Sequence, residues 1–541
     1  MTKKMLGIIS DSTKFKPLQE NLATYLLKLE DKLNRILRSI KGVMGTTVYS
    51  DCYASGSRPG RLYGLPKIHK ASVPMRPIIS SIGTFSYNVA KFLVPIVFPL
   101  TTNEYTLENS AKFVREIGSL NLPHQTVMAS FDVESLFTNI PLNETIDIIL
   151  CKFREGDYDT KGLNEQTLLK LLKITTSESV FTFKDGLYSQ IDGVSMGSPL
   201  SCCLANIFLC HFEKLWLDNC PPDFKPLFYR RYVDDTFLLF RSETHIESFL
   251  EYMNNRHTNI RFTKEVETDG KLSFLDTIIT REGNSFSTSV FRKDTFTGLG
   301  MNFLSHVPII FKINSVKTLV TRAYDICSSY FLLDNEIKFL ENYFIENGYP
   351  SRIFNQVLNG FLSFKFSPPP MKMTARKQVK YVKLPFMGDL SYEIRRSLQS
   401  TFRKYFPQIK FQIVFTNRFT IGSLFKAKDS LPSDLCSNIV YGFSCPSCGA
   451  GYVGSTSRWL QHRILEHRGR SVRTGALLVK PSQSAIRDHA FAENHPFTHE
   501  DFRILAKPDT KLDLLISETL IIKMRKPSLN VSTTSVQLFI Q

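Results

Sequence analysis

Two adjacent aspartates lie inside the apolar stretch Arg230-Arg231-Tyr232-Val233-Asp234-Asp235-Thr236-Phe237-Leu238-Leu239-Phe240. Tyr, Val, Phe and Leu favour β-strands, and neither Gly nor Pro interrupts the run. A tight turn at Val233-Asp234 would bring the acidic pair to the tip of a hairpin. Because buried carboxylates are costly without a cation and Mg²⁺ prefers oxygen ligands, the stretch predicts a magnesium site. A plain Asp-Asp hairpin turn is the alternative.

A second apolar segment upstream also ends at an aspartate. It reads Thr126-Val127-Met128-Ala129-Ser130-Phe131-Asp132-Val133, and we expect it to form a strand. Strands that bring Asp132, Asp234 and Asp235 to one sheet edge would hold two Mg²⁺ ions. One ion would lower the pKa of an attacking 3′-hydroxyl, and both would bind the transferring phosphate. The two segments together predict a two-metal phosphoryl-transfer site.

Length and composition predict a multidomain protein with a polyanionic partner. The chain has 541 residues, too many for one core, and a net charge of +17, which suits nucleic acid. It has neither an apolar run of transmembrane length nor a secretory leader, so we expect no membrane partner. The scattered cysteines favour a reducing compartment. We therefore expect an intracellular protein.

Much of the positive charge lies in residues 361–430, which hold 14 Lys and Arg against 3 Asp and Glu. Aromatic residues interleave with these cations, at Phe402, Tyr405, Phe406, Phe411, Phe415, Phe419 and Phe425. Disordered linkers are poor in aromatics, so we expect a folded nucleic-acid contact surface here. Ser367-Pro368-Pro369-Pro370 marks its boundary, and a disordered basic linker is the alternative.

Other segments supply candidate substrate contacts. Basic residues between Arg58 and Arg76 suit a triphosphate, with Lys67 and Arg76 best placed, although a solvated basic loop is the alternative. Phe137 follows Asp132 closely enough to pack beneath a sugar and exclude a 2′-hydroxyl, or else it fills the core.

Two further features complete this set of candidates. The stretch Gly193 to Ser201 contains Gly197, Ser198 and Pro199, whose backbone could approach a base pair and start a helix capped by Ser198 or Ser201. Lys264 is the candidate general acid for the pyrophosphate leaving group, and Lys271 is its rival.

In their order and spacing, the blocks across residues 55–300 resemble a reverse transcriptase. Leu62-Tyr63-Gly64-Leu65-Pro66-Lys67-Ile68-His69-Lys70 and Ser135-Leu136-Phe137-Thr138-Asn139-Ile140-Pro141 look like the Penelope-like retroelement branch, which is related to telomerase. The resemblance implies an α+β right-hand fold of fingers, palm and thumb. It also implies catalytic metal ligands Asp132, Asp234 and Asp235, and RNA-templated addition of deoxynucleoside triphosphates to a DNA primer.

The last hundred residues predict a separate hydrolytic site. Two short strands contain Tyr441 and Tyr452, and a helix carries Arg463 and His467 on one face. Glu518 lies in an apolar helix from Leu514 to Met524. A tyrosine to activate water, an arginine, a histidine and a Mg²⁺-binding glutamate suffice for single-metal phosphodiester hydrolysis. The alternative for Arg463 and His467 is a solvated basic helix face.

This region is similar to the GIY-YIG nuclease family over about residues 436–532, with Ile439-Val440-Tyr441 in place of the first triplet. The resemblance implies a small α/β domain with Tyr441, Tyr452, Arg463, His467, Glu518 and Asn530 as site residues. Penelope-like elements carry such a nuclease behind the polymerase.

Cys445, Cys448, His489 and His495 suit a tetrahedral Zn²⁺ site. A redox pair is the alternative for the cysteines, surface positions are the alternative for the histidines, and Cys436 is a competing ligand. Penelope-type nucleases have a comparable Cys-Cys-His-His site, which this arrangement resembles.

We therefore predict five regions: an N-terminal helical segment (1–50), fingers and palm (51–300), a helical thumb that resembles a helix-turn-helix (301–366), a basic connector (367–430) and the nuclease (431–541). The expected protein is a retroelement enzyme that nicks target DNA and copies RNA from the exposed 3′-end in the nucleus. Its rivals are a domesticated nucleic-acid-binding protein with inactive sites and a telomerase-like end-extending polymerase.

Overall fold

The computed structural model describes residues 2–68, 70, 72–122, 126–184, 186–367, 378–417, 420–425 and 428–530. Pro368–Pro370 and Phe419, which entered the prediction for the connector, lie outside these residues. Within the described part of the chain, every helix is too short or too polar to cross a lipid bilayer.

The helices of the described chain are α1 (Thr2–Ile9), α2 (Leu22–Ser39), α3 (Lys41–Met44), α4 (Thr46–Cys52), α5 (Tyr87–Val97), α6 (Ser110–Gly118), α7 (Leu136–Asn139), α8 (Leu142–Glu155), α9 (Glu165–Thr176), α10 (Ser201–Asp218), α11 (Glu243–Asn254), α12 (Ile309–Ile326), α13 (Tyr330–Glu346), α14 (Ser351–Phe366), α15 (Asp389–Tyr405), α16 (Leu460–His467), α17 (Ala485–Ala492) and α18 (Lys511–Arg525). Short 3₁₀ turns lie at Phe98–Thr101, Ile421–Leu424 and Ser433–Leu435.

The strands are β1 (Phe15–Leu18), β2 (Gly60–Pro66), β3 (Met75–Ser80), β4 (Val127–Val133), β5 (Ser179–Phe183), β6 (Gly186–Gln190), β7 (Phe228–Tyr232), β8 (Asp235–Phe240), β9 (Phe262–Val266), β10 (Lys271–Phe274), β11 (Thr277–Glu282), β12 (Ser285–Val290), β13 (Gln378–Pro385), β14 (Ile409–Thr416), β15 (Ile439–Ser444), β16 (Gly451–Thr456) and β17 (Phe502–Ala506).

The central sheet is antiparallel in the order β7-β8-β4-β9, and it confirms the predicted hairpin around the acidic pair. Strands β7 and β8 leave Val233 and Asp234 as the turn, and Val233 has a φ of 55°. Phe131, Leu238 and Phe240 pack into the largest core cluster, together with α8, α10 and α11. The side chains of these apolar strands therefore fix the sheet whose edge carries the aspartates.

A second sheet has the order β1-β6-β5-β2-β3, and Val180 of β5 belongs to the same core cluster as Phe131 of the central sheet. Its β2–β3 hairpin carries the basic residues predicted to bind phosphate, and Ile79 N–H donates to the Met196 carbonyl at 2.9 Å. Helices α12, α13 and α14 form a bundle around Val320, Phe344 and Phe354, where the sequence predicted a helical thumb.

The basic connector contains a folded β-α-β unit in which β13 and β14 pair in parallel and α15 crosses between them. Phe402 stacks on Phe411, with 4.3 Å between the ring centroids, and Phe415 is buried beside Tyr392. Part of the predicted aromatic surface is therefore the interior of this unit, because helix α15 covers one face of its two strands.

The C-terminal sheet has the order β16-β15-β17, so the two predicted tyrosine strands form the expected hairpin. This domain contacts the N-terminal half of the chain through Trp459, which is fully buried with Leu26 and Leu435. The indole N–H of Trp459 donates to the Ser57 carbonyl at 2.7 Å. The two halves are thus joined by a buried contact as well as by the connector.

Candidate active sites and metal centre

The three palm aspartates meet at one edge of the central sheet. Asp132 on β4 lies directly opposite Asp235 on β8, and Val133 N–H donates to the Asp234 carbonyl at 3.2 Å across the turn. Partial removal from water raises the pKa of Asp235 to about 6, and repulsion from Asp234 and Asp132 adds to the shift. Such mutually repelling carboxylates fit divalent cations, whose charge would relieve the repulsion.

Cations of the β2–β3 hairpin face these acids. Burial and the neighbouring Lys70 and Arg76 lower the pKa of Lys67, whereas Asp132 and Asp234 oppose that change. The Lys70 ammonium lies 3.7 Å from Asp132. The structure thus places the predicted Lys67 and Arg76 near the aspartates, and adds Lys70, which the sequence reasoning did not single out.

A buried ion pair supports the turn that carries the acids. Arg231 is only 1% exposed, and its Nε lies 2.8 Å from Glu213 Oε1 of α10. Its Nη1 also donates to the Val233 carbonyl at 2.9 Å and to Asn206 Oδ1 at 3.0 Å. Sequence reasoning missed this role, although a charged residue within an apolar strand is a signal for a buried partner.

The glycine segment packs closely against the β2–β3 hairpin. Gly197 has a φ of +128°, and a Cβ there would overlap the carbonyl oxygen of Ile79. The glycine therefore allows the backbone of β3 to approach closely, and contact of this segment with a base pair stays a prediction.

The predicted start of the following helix was wrong. Helix α10 begins at Ser201, its N-cap residue is Leu200, and no side chain caps it. Ser198 Oγ accepts from Leu200 N–H at 3.4 Å, and Pro199 lies ahead of the first turn. Ser198 and Pro199 therefore lie in the turn before α10, and neither Ser198 nor Ser201 caps the helix.

Lys264, the first candidate general acid, lies on the face of the sheet that points away from Asp132. Lys264 pairs in register with Phe131, whose side chain points to the core face opposite Asp132, and its ammonium forms an ion pair with Glu247 of α11. Lys271 lies exposed on β10 in another sheet. A shift of one residue along a strand moves a side chain to the other face of the sheet, and the sequence alone did not show on which face Lys264 lies.

Phe137 lies on α7 between the palm and the glycine segment. Its ring is half-buried against the main core, and its carbonyl accepts from Val194 N–H at 2.6 Å. Both predicted roles, core packing and contact with a sugar, are compatible with this partly open position.

We predict that Phe137→Val increases ribonucleotide use, because a smaller side chain leaves room for a 2′-hydroxyl. The measurement is the ratio of incorporation efficiencies for ribonucleotides and deoxyribonucleotides. Leu187→Val, a smaller change at another half-buried position of the same core, is the control. An unchanged ratio in a folded Phe137→Val protein would assign Phe137 to the core alone.

The C-terminal domain gathers its predicted residues around the Tyr441 hydroxyl. This oxygen lies 2.8 Å from His467 Nε2 and accepts from Arg463 Nε at 3.1 Å. Burial, together with Arg463 and Arg487, lowers the pKa of His467 to about 3, so the imidazole is neutral at physiological pH. Its Nδ1 lies 2.8 Å from Ser484 Oγ, so both ring nitrogens have a hydroxyl partner within hydrogen-bond distance.

The remaining predicted nuclease residues lie around this network. Tyr441 is fully buried, whereas Tyr452 is half-buried, so Tyr452 is the tyrosine open to a substrate. Glu518 on α18 is half-buried and lies close enough to raise the pKa of Tyr441, after the larger effect of burial.

Asn530 binds the backbone of β16 through both ends of its side chain, and its role in catalysis stays a prediction. Its amide oxygen accepts from Val453 N–H at 2.9 Å, and its amide nitrogen donates to the Val453 carbonyl at 2.8 Å. Because both ends of the side chain bind the β16 backbone, it fixes the chain segment after α18 against the tyrosine hairpin.

Four side chains form a candidate zinc centre beside this sheet. The ligand atoms of Cys445, Cys448, His489 and His495 all lie within 4.8 Å of one another, and Cys436 is outside this group. Although burial opposes it, hydrogen bonds from Cys448 and His489 lower the pKa of Cys445 to about 6. A Cys₂His₂ donor set with an acidic thiol fits Zn²⁺.

We predict that the purified chain contains about one zinc ion, the content expected of one Cys₂His₂ site. The whole chain is the appropriate sample, because Trp459 of this domain is buried against Leu26. Elemental analysis of the native protein tests this, with Cys448→Ser expected to lose the metal and Cys151→Ser, at an exposed cysteine elsewhere, expected to keep it. Metal-free native protein, never exposed to chelator, would remove the zinc assignment.

Comparisons with known proteins agree with the first half of this description. Residues 68–275 match the family model "Reverse transcriptase (RNA-dependent DNA polymerase)". Residues 300–358, which contain α12 and α13 and the start of α14, match the model "Animal helix-turn-helix domain". No curated protein matches the chain.

Solved structures show only distant similarity. Apo telomerase from Candida tropicalis, truncated from its C-terminal domain, is 11% identical with a TM-score of 0.38, over 54% of this chain and 59% of that one. Candida albicans telomerase with a fragment of telomeric RNA is 12% identical with a TM-score of 0.39, over 57% and 58%. The Sicinivirus RNA-dependent RNA polymerase is 12% identical with a TM-score of 0.37, over 58% and 71%.

The chain spans less than two thirds of the length of the telomerase chains it matches, and these TM-scores are too low to support an assignment. The family matches are independent of them and agree in position with the palm aspartates and with the helical bundle. The chain contains a reverse transcriptase domain, followed along the sequence by a helix-turn-helix domain.

Proposed function

We propose that this protein is an RNA-directed DNA polymerase of a Penelope-like retroelement, with a C-terminal endonuclease that nicks target DNA. The observation that carries the polymerase is the register of the palm, in which Asp132 faces Asp235 across β4 and β8 beneath the cations of the β2–β3 hairpin. The substrates would be an RNA template, a DNA primer and deoxynucleoside triphosphates.

In this proposal each group around the palm has one task. Asp132, Asp234 and Asp235 would hold two Mg²⁺ ions, which when bound supply charge stabilisation of the transferring phosphate. Lys67 and Arg76 would bind the triphosphate, because they already face Asp234. Arg231 keeps the aspartate turn in place through the Val233 carbonyl.

Lys70 or Lys293 would replace Lys264 as the source of a proton for the leaving group. The Lys70 ammonium lies within 4 Å of Asp132, and the charges of Lys293 and Lys70 both lower the pKa of Asp235 against burial and repulsion. These two lysines therefore lie near enough to the aspartates to act on a bound triphosphate.

The nuclease proposal rests on the hydrogen-bonded network around Tyr441. The neutral His467 imidazole lies within hydrogen-bond distance of the Tyr441 hydroxyl while Arg463 donates to the same oxygen, so two side chains orient this hydroxyl inside the domain. Tyr452 lies at the open side, and Glu518 would hold a Mg²⁺ ion that stabilises charge on the phosphate. Arg463 would stabilise the extra negative charge of the transition state.

Primer extension on an RNA template, with purified protein, Mg²⁺ and deoxynucleoside triphosphates, tests the polymerase. Conversion of supercoiled plasmid to nicked circles by the same protein tests the nuclease. Extension from that nick, with an RNA template added, tests whether the two activities are coupled. Extension without nicking would leave the polymerase and remove the retroelement cycle. Neither activity, in folded protein, would favour a nucleic-acid-binding role.

A further inference from the structure

A cleft with a volume of about 700 Å³ lies where the fingers, the end of the basic connector and the C-terminal domain meet. Arg58 and Arg61 line it from the fingers, Lys428 lines it from the connector, and Lys507 lines it from the C-terminal domain. Only Arg58 and Arg61 belong to the same basic segment as Lys67 and Arg76, and the cations whose charges act on Asp234 and Asp235 are Lys67, Lys70, Arg76 and Lys293. The cleft is therefore a separate cationic site that the polymerase chemistry leaves unexplained.

The four cations are not neutralised by carboxylates. Among the described residues, none of these four side chains lies in an ion pair, and the groups that accept their hydrogen bonds are neutral. Arg58 donates to the Ile82 carbonyl at 2.9 Å, Arg61 donates to the Asp429 carbonyl at 3.3 Å, and Lys428 donates to Ser80 Oγ at 3.1 Å. These contacts hold the side chains in place while their positive charges stay available to a ligand.

Three of the cations, Arg58, Arg61 and Lys428, also repel one another, which places their charges close together. Burial, with the charges of Arg61 and Arg58, lowers the pKa of Lys428, and burial with Arg61 lowers that of Arg58. Only two carboxylates, Asp429 and Asp509, line the same cleft. The cations outnumber them, so the net charge of the cleft is positive. An anion bound there would relieve repulsion that the fold otherwise sustains.

Two buried contacts hold the walls of the cleft together. Ser437 Oγ donates to the Gly56 carbonyl at 2.6 Å, next to the Trp459 contact with Ser57. Gly56 has a φ of +63°, and a Cβ there would lie 2.8 Å from Ser437 Cβ, so glycine permits this approach. These contacts fix the position of the C-terminal domain against the segment around Gly56, and therefore the width of the cleft.

We propose that this junction cleft binds the phosphodiester backbone of a single-stranded nucleic acid. Backbone phosphates carry one charge each and suit converging Arg and Lys side chains. A duplex, whose major groove alone is about 12 Å wide, is too large for a cleft of this volume. The strand would pass between the polymerase and the C-terminal domain, so it would bind both halves of the protein at once.

The test is the salt dependence of binding to fluorescent oligothymidylate and oligouridylate, measured by anisotropy without added Mg²⁺ or nucleotides. Arg58→Gln, Arg61→Gln and Lys428→Gln are combined in one variant. Losing three phosphate contacts should reduce the slope of log K against log salt by about 2, since each single-strand contact contributes about 0.7. Because no catalysis is measured, failure here leaves the proposed polymerase and nuclease untouched.

The matched control removes three lysines that already pair with carboxylates, in Lys112→Gln, Lys152→Gln and Lys338→Gln. It changes the net charge by the same amount and should leave the slope near the wild-type value. A reduced slope with either oligonucleotide supports the cleft and identifies the strand that it binds.

Equal slopes for the cleft variant and the control, with both oligonucleotides, would overturn the proposal. If the triple variant does not fold, Lys428→Gln and Arg61→Gln are measured separately, each with an expected reduction of about 0.7. Unchanged slopes in both folded single variants would overturn it equally.

Discussion

Replacing Asp234 by alanine is expected to abolish RNA-templated primer extension and to leave DNA nicking unchanged. The carboxylates of a two-metal site supply several kcal/mol of transition-state stabilisation, so a fall of about 10³-fold or more is expected. Asp234→Asn should behave similarly, because it keeps the shape of the side chain and removes its charge. Extension at the wild-type rate in either variant would contradict the assignment of the palm site.

Stability should move in the opposite direction from activity. Burial raises the pKa of Asp234 and Asp132 adds to it by repulsion, so the ionised carboxylate is less favourable in the folded chain than in the unfolded one. A group with a raised pKa of this kind costs stability at neutral pH, and its neutral replacement removes the cost. Asp234→Asn should therefore melt at or above the wild-type temperature while remaining inactive.

Glu247→Gln provides the matched control for this experiment. Glu247 pairs with Lys264 on the opposite face of the same sheet, so the variant removes an acid from the palm without touching the aspartate edge. Near-normal extension in Glu247→Gln, together with loss in Asp234→Asn, would locate the effect at the predicted metal ligands. Equal losses in the two variants would indicate that the charge of the palm matters and not the particular carboxylate.

Local patterns in the sequence predicted the strands and turns of the palm well. Apolar residues flank Asp234 and Asp235 on both sides, and two adjacent charges between strand-forming segments favour a turn, so the pattern predicted a short hairpin. The same holds for β15 and β16, whose tyrosines Tyr441 and Tyr452 lie on a hairpin as expected. Such elements are specified by neighbouring residues, and sequence reasoning therefore reaches them.

The errors share one cause, which is long-range packing. Which face Lys264 occupies depends on the register of β9 against β4, and the partner of Gly197 is a carbonyl of β3 more than a hundred positions away in the chain. The buried pair of Arg231 with Glu213 likewise joins two distant segments. Sequence spacing carries no information about these contacts. The sequence therefore indicated the candidate residues, but it did not indicate the face of the sheet on which each side chain lies or the segment against which it packs.

Replacing Arg463 by alanine is expected to reduce DNA nicking by about 10²-fold or more, the usual cost of one transition-state donor, and to leave primer extension intact. Arg463 donates to the Tyr441 hydroxyl and also lies 3.0 Å from Glu466. The ion pair alone would contribute only about 0–1 kcal/mol, because it is partly exposed. Nicking of supercoiled plasmid, scored as open circles, is the measurement.

Arg458→Ala separates these two roles. Arg458 lies 2.6 Å from the same Glu466 carboxylate, and no contact to Tyr441 is recorded for it among the described residues. If Arg463 acts through Tyr441, only Arg463→Ala should lose nicking. If the charge around Glu466 is what matters, the two variants should lose activity to a similar extent, and the transition-state role of Arg463 would be wrong.

Retention of primer extension in Arg463→Ala is a demanding part of this prediction, because the two halves touch. Arg463 lies one turn along α16 from Trp459, whose indole is buried against Leu26 and bonded to Ser57. A variant that unfolded the C-terminal domain would release this contact and disrupt both the predicted zinc site and the segment around Ser57, so primer extension and the predicted zinc content would fall together. If nicking is lost while primer extension and zinc content are unchanged, the effect of Arg463→Ala is located at the predicted nuclease site. The paired measurement therefore tests whether the two activities are separate although their domains are in contact.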